Sequence, residues 1–311
     1  MLKISVITWD GNFRESDHTI RSFGDQNFKN NEYELIWVDF YQSNNQIKET
    51  ISQYSNAKLL TLNHPYDEPW HLGLCINAGV ELSLGELLVI PDGDIAVDRN
   101  ILQYIWDSHQ YHRDLALYFQ RYDEIGETRV KERIAFSYLE KNCRLTNPEN
   151  YSGCLTLSRY NFENVNGYET HSAFAGSGCQ AIELYTRLRN SGMAIKWSPD
   201  KKVYHPWHQG SGEPMQDDRK TLRMARYRYS WIIPYSGLEQ SWIVNCRNFS
   251  GSRVADILEC EKFLETIPVV DLNYYSSLVS LNNGGIVDKK KLLSRAKRRF
   301  SNFIYSNNKR K

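Results

Sequence analysis

Residues 87–98 read LLVIPDGDIAVD: four apolar residues, a proline, and then two aspartates, Asp92 and Asp94, with Gly93 between them. Two carboxylates leaving one strand end are hard oxygen donors. They suit Mg2+ or Mn2+ bridging a diphosphate, with most other coordination positions left to water and phosphate. A D-x-D triplet alone is a weak signal, because a polar turn after a strand uses the same residues. The context strengthens it: the apolar run fixes where the backbone stops being buried, and Gly93 lets the chain come close to a ligand.

Such a pair needs a scaffold, and the flanking segments supply one. KISVITW (3–9) and YELIWVDF (33–40) read as buried parallel strands, and Ile20 and Phe23 give the segment between them a short helical face. AKLLTLN (57–63) follows as a third strand, LGLCINAGVELSLG (72–85) as a helix closed by Gly85, and ELLVI (86–90) as a fourth strand. Alternating strands and helices predict an α/β sheet with helices on both faces. Ligands of such sheets collect beyond the carboxyl ends of the strands, where Asp39 and Asp92 both lie. RNILQYIWDSHQYH (99–112) reads as a helix, after which the pattern becomes mixed. SGCLTLSRYNFENVNGYE (152–169) reads as strand, short helix and turn. CQAIELYTRLRNSG (179–192) reads as a helix with Ile182, Leu184, Tyr185 and Leu188 as its apolar residues and Gly192 as its stop. The core is expected to end near residue 215, giving a domain over 1–215 and a basic helical extension over 216–311.

Composition narrows the function classes. The chain has 311 residues, 41% of them hydrophobic, enough for one large core plus an extension. No run approaches the roughly 20 apolar residues of a membrane span, so a cytoplasmic location is expected. The six cysteines (75, 143, 154, 179, 246 and 260) form no C-x-x-C pair and are expected as reduced, mostly buried thiols. Residues 288–311 hold ten of the 38 basic groups and one of the 37 acidic ones, which leaves the remainder at −8. That charge excludes nucleic acid as the partner of the main domain.

The motifs together resemble GT-A glycosyltransferases of the large family 2 group. The pieces stand in the family's order: ISVITW as first strand, YELIWVDF ending in the aspartate that contacts uridine, INAGVELSLGELLVIPDGD as the run leading into D-x-D, GCLTLSRYNFENVNGYE as the acceptor-side segment, and VYHPWH carrying the late histidine. The match covers about residues 1–210. It implies a Rossmann-like, mixed but mainly parallel sheet flanked by helices. It further implies Thr8, Asp39, Asn77, Asp92 and Gly93 at the nucleotide-sugar, and Asp92, Asp94 and His205 on Mn2+ or Mg2+. Glu169, Gly176 and Gly178 fall on the acceptor side. Pro206 makes the histidine segment extended, so residues three apart should point to opposite sides. His205 is therefore the expected ligand and His208 the second choice, otherwise touching phosphate or acceptor. Where many relatives have arginine before Asn77, this chain has Ile76; CIN is closer to a galactosyl- and N-acetylgalactosaminyltransferase-like subset. The expected donor is a UDP-hexose and the acceptor a saccharide.

One departure concerns the base. Inverting members carry an acidic pair in a G-W-G-x-E-D-like loop, and here FAGSGCQAIELYTRL places Gln180 and Ala181 where the acids would be. Three explanations compete. Glu183 is the base, although with Arg187 it also forms an i, i+4 pair typical of a solvated helix face. Or the reaction retains anomeric configuration without a dedicated base. Or the chain is a weakened nucleotide-sugar binder. A sugar-phosphate nucleotidyltransferase is a further rival, but TWDGNFRES lacks its G-x-G-x-R loop.

In the tail, Leu292, Leu293, Ala296, Phe300, Phe303 and Ile304 fall on one helical face, with Lys289–Lys291, Arg295 and Lys297–Arg299 around them. Residues 289–304 either lie on an anionic membrane, at the inner face of the plasma membrane, or dock on the protein itself. The first arrangement suits an enzyme that extends lipid-linked glycans for a cell-surface polysaccharide.

Overall fold

The computed structural model describes residues 2–11, 17–43, 45–126, 135–148, 150–170, 175–176 and 180–208. The boundary at 215, the extension 216–311 with its basic helix, and Gly178 lie outside the described residues.

The chain opens β1 (Ile4–Asp10), α1 (His18–Gly24), β2 (Tyr33–Asp39), α2 (Asn45–Ser52), β3 (Ala57–Thr61), α3 (Leu72–Leu82) and β4 (Leu87–Pro91). It continues with α4 (Ile101–His109), β5 (Leu115–Glu124), α5 (Phe136–Asn142), β6 (Cys143–Arg144), β7 (Cys154–Ser158), α6 (Arg159–Asn164), α7 (Gln180–Asn190) and β8 (Ala194–His205). The strands form one sheet in the order β3-β2-β1-β4-β7-β5-β6, with β8 paired to β5. Pairs β1–β2, β2–β3, β1–β4 and β5–β8 are parallel, while β7 runs antiparallel to both β4 and β5 and β6 runs antiparallel to β5.

The continuous apolar runs predicted as strands are strands because both faces of the sheet are covered. Ile7, Trp9, Leu88, Ile90, Ala116 and Tyr118 join a core with residues of α3, α6 and α7. Ile4, Val6, Leu87, Val89, Leu117 and Phe119 join another with residues of α1, α2 and α4. Neighbouring strand residues thus feed opposite layers, as the pleat requires. Gly79 lets α3 settle on the sheet, since a Cβ there would stand 2.5 Å from Ile7 Cγ2.

Gly85 is not the stop of α3. The helix ends at Leu82, where Ser83 Oγ donates to the Val80 carbonyl (2.8 Å), and Gly85 instead lies against β1, 2.5 Å from the Ile4 carbonyl carbon to a notional Cβ. Cys75, Cys143 and Cys154 are buried. Among the described residues no helix is long and apolar enough to cross a membrane.

Candidate active site

The aspartate pair sits where β4 leaves the core. Residues 87–91 are buried, Asp92 N donates to the Gly153 carbonyl (3.1 Å), and Gly93 forms the buried turn between the two carboxylates. From α1, the Thr19 hydroxyl accepts from Ile95 N (2.9 Å) and donates to the Ile95 carbonyl (2.8 Å), pinning the turn from below. Ala96 then pairs antiparallel with Tyr204, with bonds of 2.7 and 2.9 Å. That bridge carries the end of β8 to the aspartates.

Asp94 accordingly meets two histidines. Its Oδ2 is 3.7 Å from His205 Nε2 and 3.4 Å from His208 Nε2, and the two imidazole nitrogens are 3.2 Å apart. One donor atom from each of the three lies within 4.8 Å of the others. The expectation that only one histidine reaches the site is therefore corrected. It assumed an extended chain through Pro206, but β8 stops at His205 and Trp207 N donates to Glu124 Oε2 (2.9 Å), which turns His208 back beside His205. A carboxylate with two imidazoles is a donor set that fits a divalent metal ion. His205 Nδ1 also lies 3.2 Å from Asp123 Oδ1, an ion-pair contact, and its Nε2 faces Asp94. Burial disfavours the imidazolium of His205, but the Asp94 and Asp123 carboxylates outweigh it and raise the pKa to about 9.

Asp92 is placed differently. Its Oδ2 accepts from Ser152 Oγ (3.0 Å) and lies 3.5 Å from Arg121 Nη1, outside the Asp94–His205–His208 group. Asp123 is buried enough to raise its pKa, but His205, Thr146 and Arg121 together hold it below the usual range. Asp123, Arg121 and Ser152 are missing from the sequence reading. The run LALYFQ before Arg121 carries a strand signal, and RYDE at its end is a polar cluster at the same sheet edge.

At the other end of the strand row, Asp39 closes β2 opposite Asp10 of β1. Trp37 Nε1 donates to Asp39 Oδ1 (2.8 Å) and Ser43 Oγ to Oδ2. Thr8 is fully buried in β1, and its Oγ1 has no hydrogen-bond partner among the described residues.

Several residues expected at the ligand, and those replacing the expected acids, make structural contacts. Asn77 donates to the Tyr168 carbonyl and accepts from Tyr168 N, both at 2.9 Å, so its amide latches α3 to the 167–169 turn. Gly167 makes this possible with φ +63 and no Cβ, which would stand 2.7 Å from Asn77 Oδ1. Glu169 is fully buried, with its carbonyl against Gly73, so a dissolved acceptor has no access to its side chain. Gly176, with φ +65, donates its N–H to the Trp70 carbonyl (2.6 Å). Gln180 is fully buried and its Oε1 accepts from Gly73 N (2.7 Å), satisfying a donor in the first turn of α3. Ala181 is buried beside it.

Glu183 is corrected in two respects. The Glu183–Arg187 pair is no solvated face: the side chains are 1% and 3% exposed. Both carboxylate oxygens are engaged, Oε1 by Arg187 Nε (2.8 Å) and Oε2 by Nη2 (2.7 Å), while Nη1 donates to the Val165 carbonyl (2.5 Å). A carboxylate held bidentately in the core has no position from which to take an acceptor proton.

The fold is that of the GT-A glycosyltransferases. GalNAc-T7, crystallised with UDP, GalNAc and Mn2+, superposes with a TM-score of 0.55 at 14% identity over 85% of this chain. S. aureus TarS 1–349 with UDP-GlcNAc gives 0.55 at 16% identity over 78%. This chain spans 55% of the GalNAc-T7 chain and 68% of the TarS chain. Residues 133–209, which include Ser152, the Gln180 loop and both histidines, match a family described as the N-terminal domain of galactosyltransferase. Comparison with curated proteins finds no match.

Proposed function

We propose that this chain is a metal-dependent glycosyltransferase that moves a hexose from a UDP-sugar to a hydroxyl of a saccharide acceptor. The observation that carries the reading is the convergence of Asp94, His205 and His208 at the carboxyl end of β4 in a GT-A sheet. Relatives of the same fold crystallise with UDP and a sugar or UDP-sugar, one of them with Mn2+, which supports both donor and ion.

Asp94, His205 and His208 hold the divalent ion, which supplies neutralisation of the diphosphate charge as the sugar leaves. Asp123 faces His205 Nδ1 and balances its charge. Asp39, at the carboxyl end of β2, receives the nucleoside, whereas Thr8 is fully buried in β1 and closed to it. Asp92, anchored by Ser152, faces the ribose side of the same ligand.

A second reading has its own observation. Gln180 and Ala181 replace the acids and Glu183 is locked to Arg187, so no carboxylate of this helix serves as base. That favours either a retaining transferase or a nucleotide-sugar binder with little turnover. A panel of nucleotide sugars incubated with Mn2+ and saccharide acceptors, followed by NMR of the product anomer, separates the three. Inversion speaks for a base elsewhere in the site, and retention for the first alternative. UDP-sugar binding without transfer or hydrolysis speaks for the second.

A further inference from the structure

Two arginines among the described residues are spent within the fold. Arg187 spends Nε and Nη2 on Glu183 and Nη1 on the Val165 carbonyl. Arg159 likewise spends all three nitrogens, on the Gly85 and Val80 carbonyls and Ser83 Oγ at 2.6–3.0 Å. Arg121 does neither. Among the described residues its guanidinium makes one hydrogen bond, a long one of 3.5 Å from Nη1 to Asp92 Oδ2. Its Nε is 2.9 Å from Asp123 Oδ1, yet buried and without hydrogen-bond geometry, so that contact is Coulombic only. A guanidinium 21% exposed, with a fork of donors largely unspent, is matched to an anion that offers several oxygens.

We propose that Arg121 binds the diphosphate of the nucleotide donor, a role that rests on the transferase reading above. Its place fits that ligand. Asp123 Oδ1, which Arg121 touches, is the oxygen beside His205 Nδ1, and His205 Nε2 faces Asp94. The guanidinium is thus one carboxylate away from the Asp94–His205–His208 group and in direct range of Asp92. Three carboxylates, Asp92, Asp94 and Asp123, meet at this sheet end, and a divalent ion alone leaves them net negative. Glu124, which accepts from Trp207 N beside His208, adds a fourth carboxylate, and Arg121 offsets part of this charge so that a dianionic group is repelled less. The backbone is cut for this side chain as well: a Cβ on Gly153 would stand 3.1 Å from Arg121 Cβ and 3.7 Å from its Cγ and Cδ. Glycine at 153 lets the Arg121 stem lie across the start of β7 on its way to Asp92.

The test is calorimetric titration of the full chain with uridine, UMP and UDP, each with and without Mn2+, and with Mn2+ alone. Arg121→Gln is expected to lose about 10- to 100-fold in UDP affinity in the presence of Mn2+, the loss of hydrogen bonds to a charged group. Its affinity for uridine and for Mn2+ alone should not fall, and Arg121→Lys should recover part of the loss by charge without the fork. UDP affinity equal to wild type in both variants overturns the assignment. So does an equal loss for uridine or Mn2+, which marks a role in holding the site together. Absence of metal-dependent UDP binding in the wild type fails the transferase reading itself, a result distinct from either.

Discussion

Two clusters of acid and base residues lie at different depths in this chain, and they differ in what they have left to give. Glu183 and Arg187 form a closed pair in which both carboxylate oxygens and all three guanidinium nitrogens are bonded within the core. At the end of β4, β5 and β8, by contrast, Asp94, His205 and His208 crowd their donor atoms toward one point, with Asp123 beside His205 and Ser152 holding the neighbouring Asp92. The first cluster holds α7 to the 165–169 segment; the second is built to meet something else. Ion pairing alone does not mark a functional site; incomplete pairing in a fixed frame does.

The contrast can be broken most severely in the closed pair. Glu183→Gln leaves the Arg187 charge buried without its counter-ion, and urea unfolding should show a loss of about 3–5 kcal/mol. Wild-type stability combined with a collapse in turnover would instead restore Glu183 as the base. The open cluster should answer in the opposite way. His208→Ala is expected to lower Mn2+ affinity roughly 10- to 100-fold, an effect the size of losing a ligand or its close support, with little change in the unfolding midpoint. Unchanged Mn2+ affinity would return His208 to the subsidiary role that its sequence spacing implied. Between the two lies the Asn77 latch. Asn77→Ala removes two hydrogen bonds and should cost about 1–3 kcal/mol in urea unfolding while UDP affinity holds.

A smaller effect comes from His109, which is remote from both clusters. Its Nε2 bonds Thr156 Oγ1 at 2.8 Å, and burial, aided by His112, lowers its pKa to about 4 from an ordinary 6.5. Between those values the unfolded chain takes up a proton that the folded chain refuses. Stability from this residue is therefore complete above pH 6.5 and is lost as pH falls toward 4, at no more than about 1.4 kcal/mol per pH unit. Urea midpoints measured from pH 7 to 4.5 should fall less steeply in His109→Gln.

How much of this was legible depends on what the residues had to report. β1, β2 and β4 are apolar on both faces because they are interior strands, and so their sequence announces them. β8 does not: it pairs with β5 across a register shift between Tyr118 and Gln120, and it carries Lys196, Lys201 and Lys202 along with Pro199. The D-x-D turn was legible because strand end, glycine and carboxylates are contiguous. The second histidine was not, because its approach depends on where β8 stops and on a bond from Trp207 N to Glu124 that no local pattern records. Glu183 and Arg187 show the same limit. Spacing of four residues predicts the pair but not which side of the helix faces the core.

The central claim is that Asp94, His205 and His208 hold a divalent ion that a nucleotide diphosphate then shares. Titrating UDP into the wild type and into Asp94→Ala, with and without Mn2+, tests it most directly. The account predicts UDP affinity that rises at least about tenfold with Mn2+ in the wild type and not in the variant, with both proteins folded to the same midpoint. Metal-dependent UDP binding that survives in Asp94→Ala, or wild-type binding indifferent to Mn2+, would contradict it.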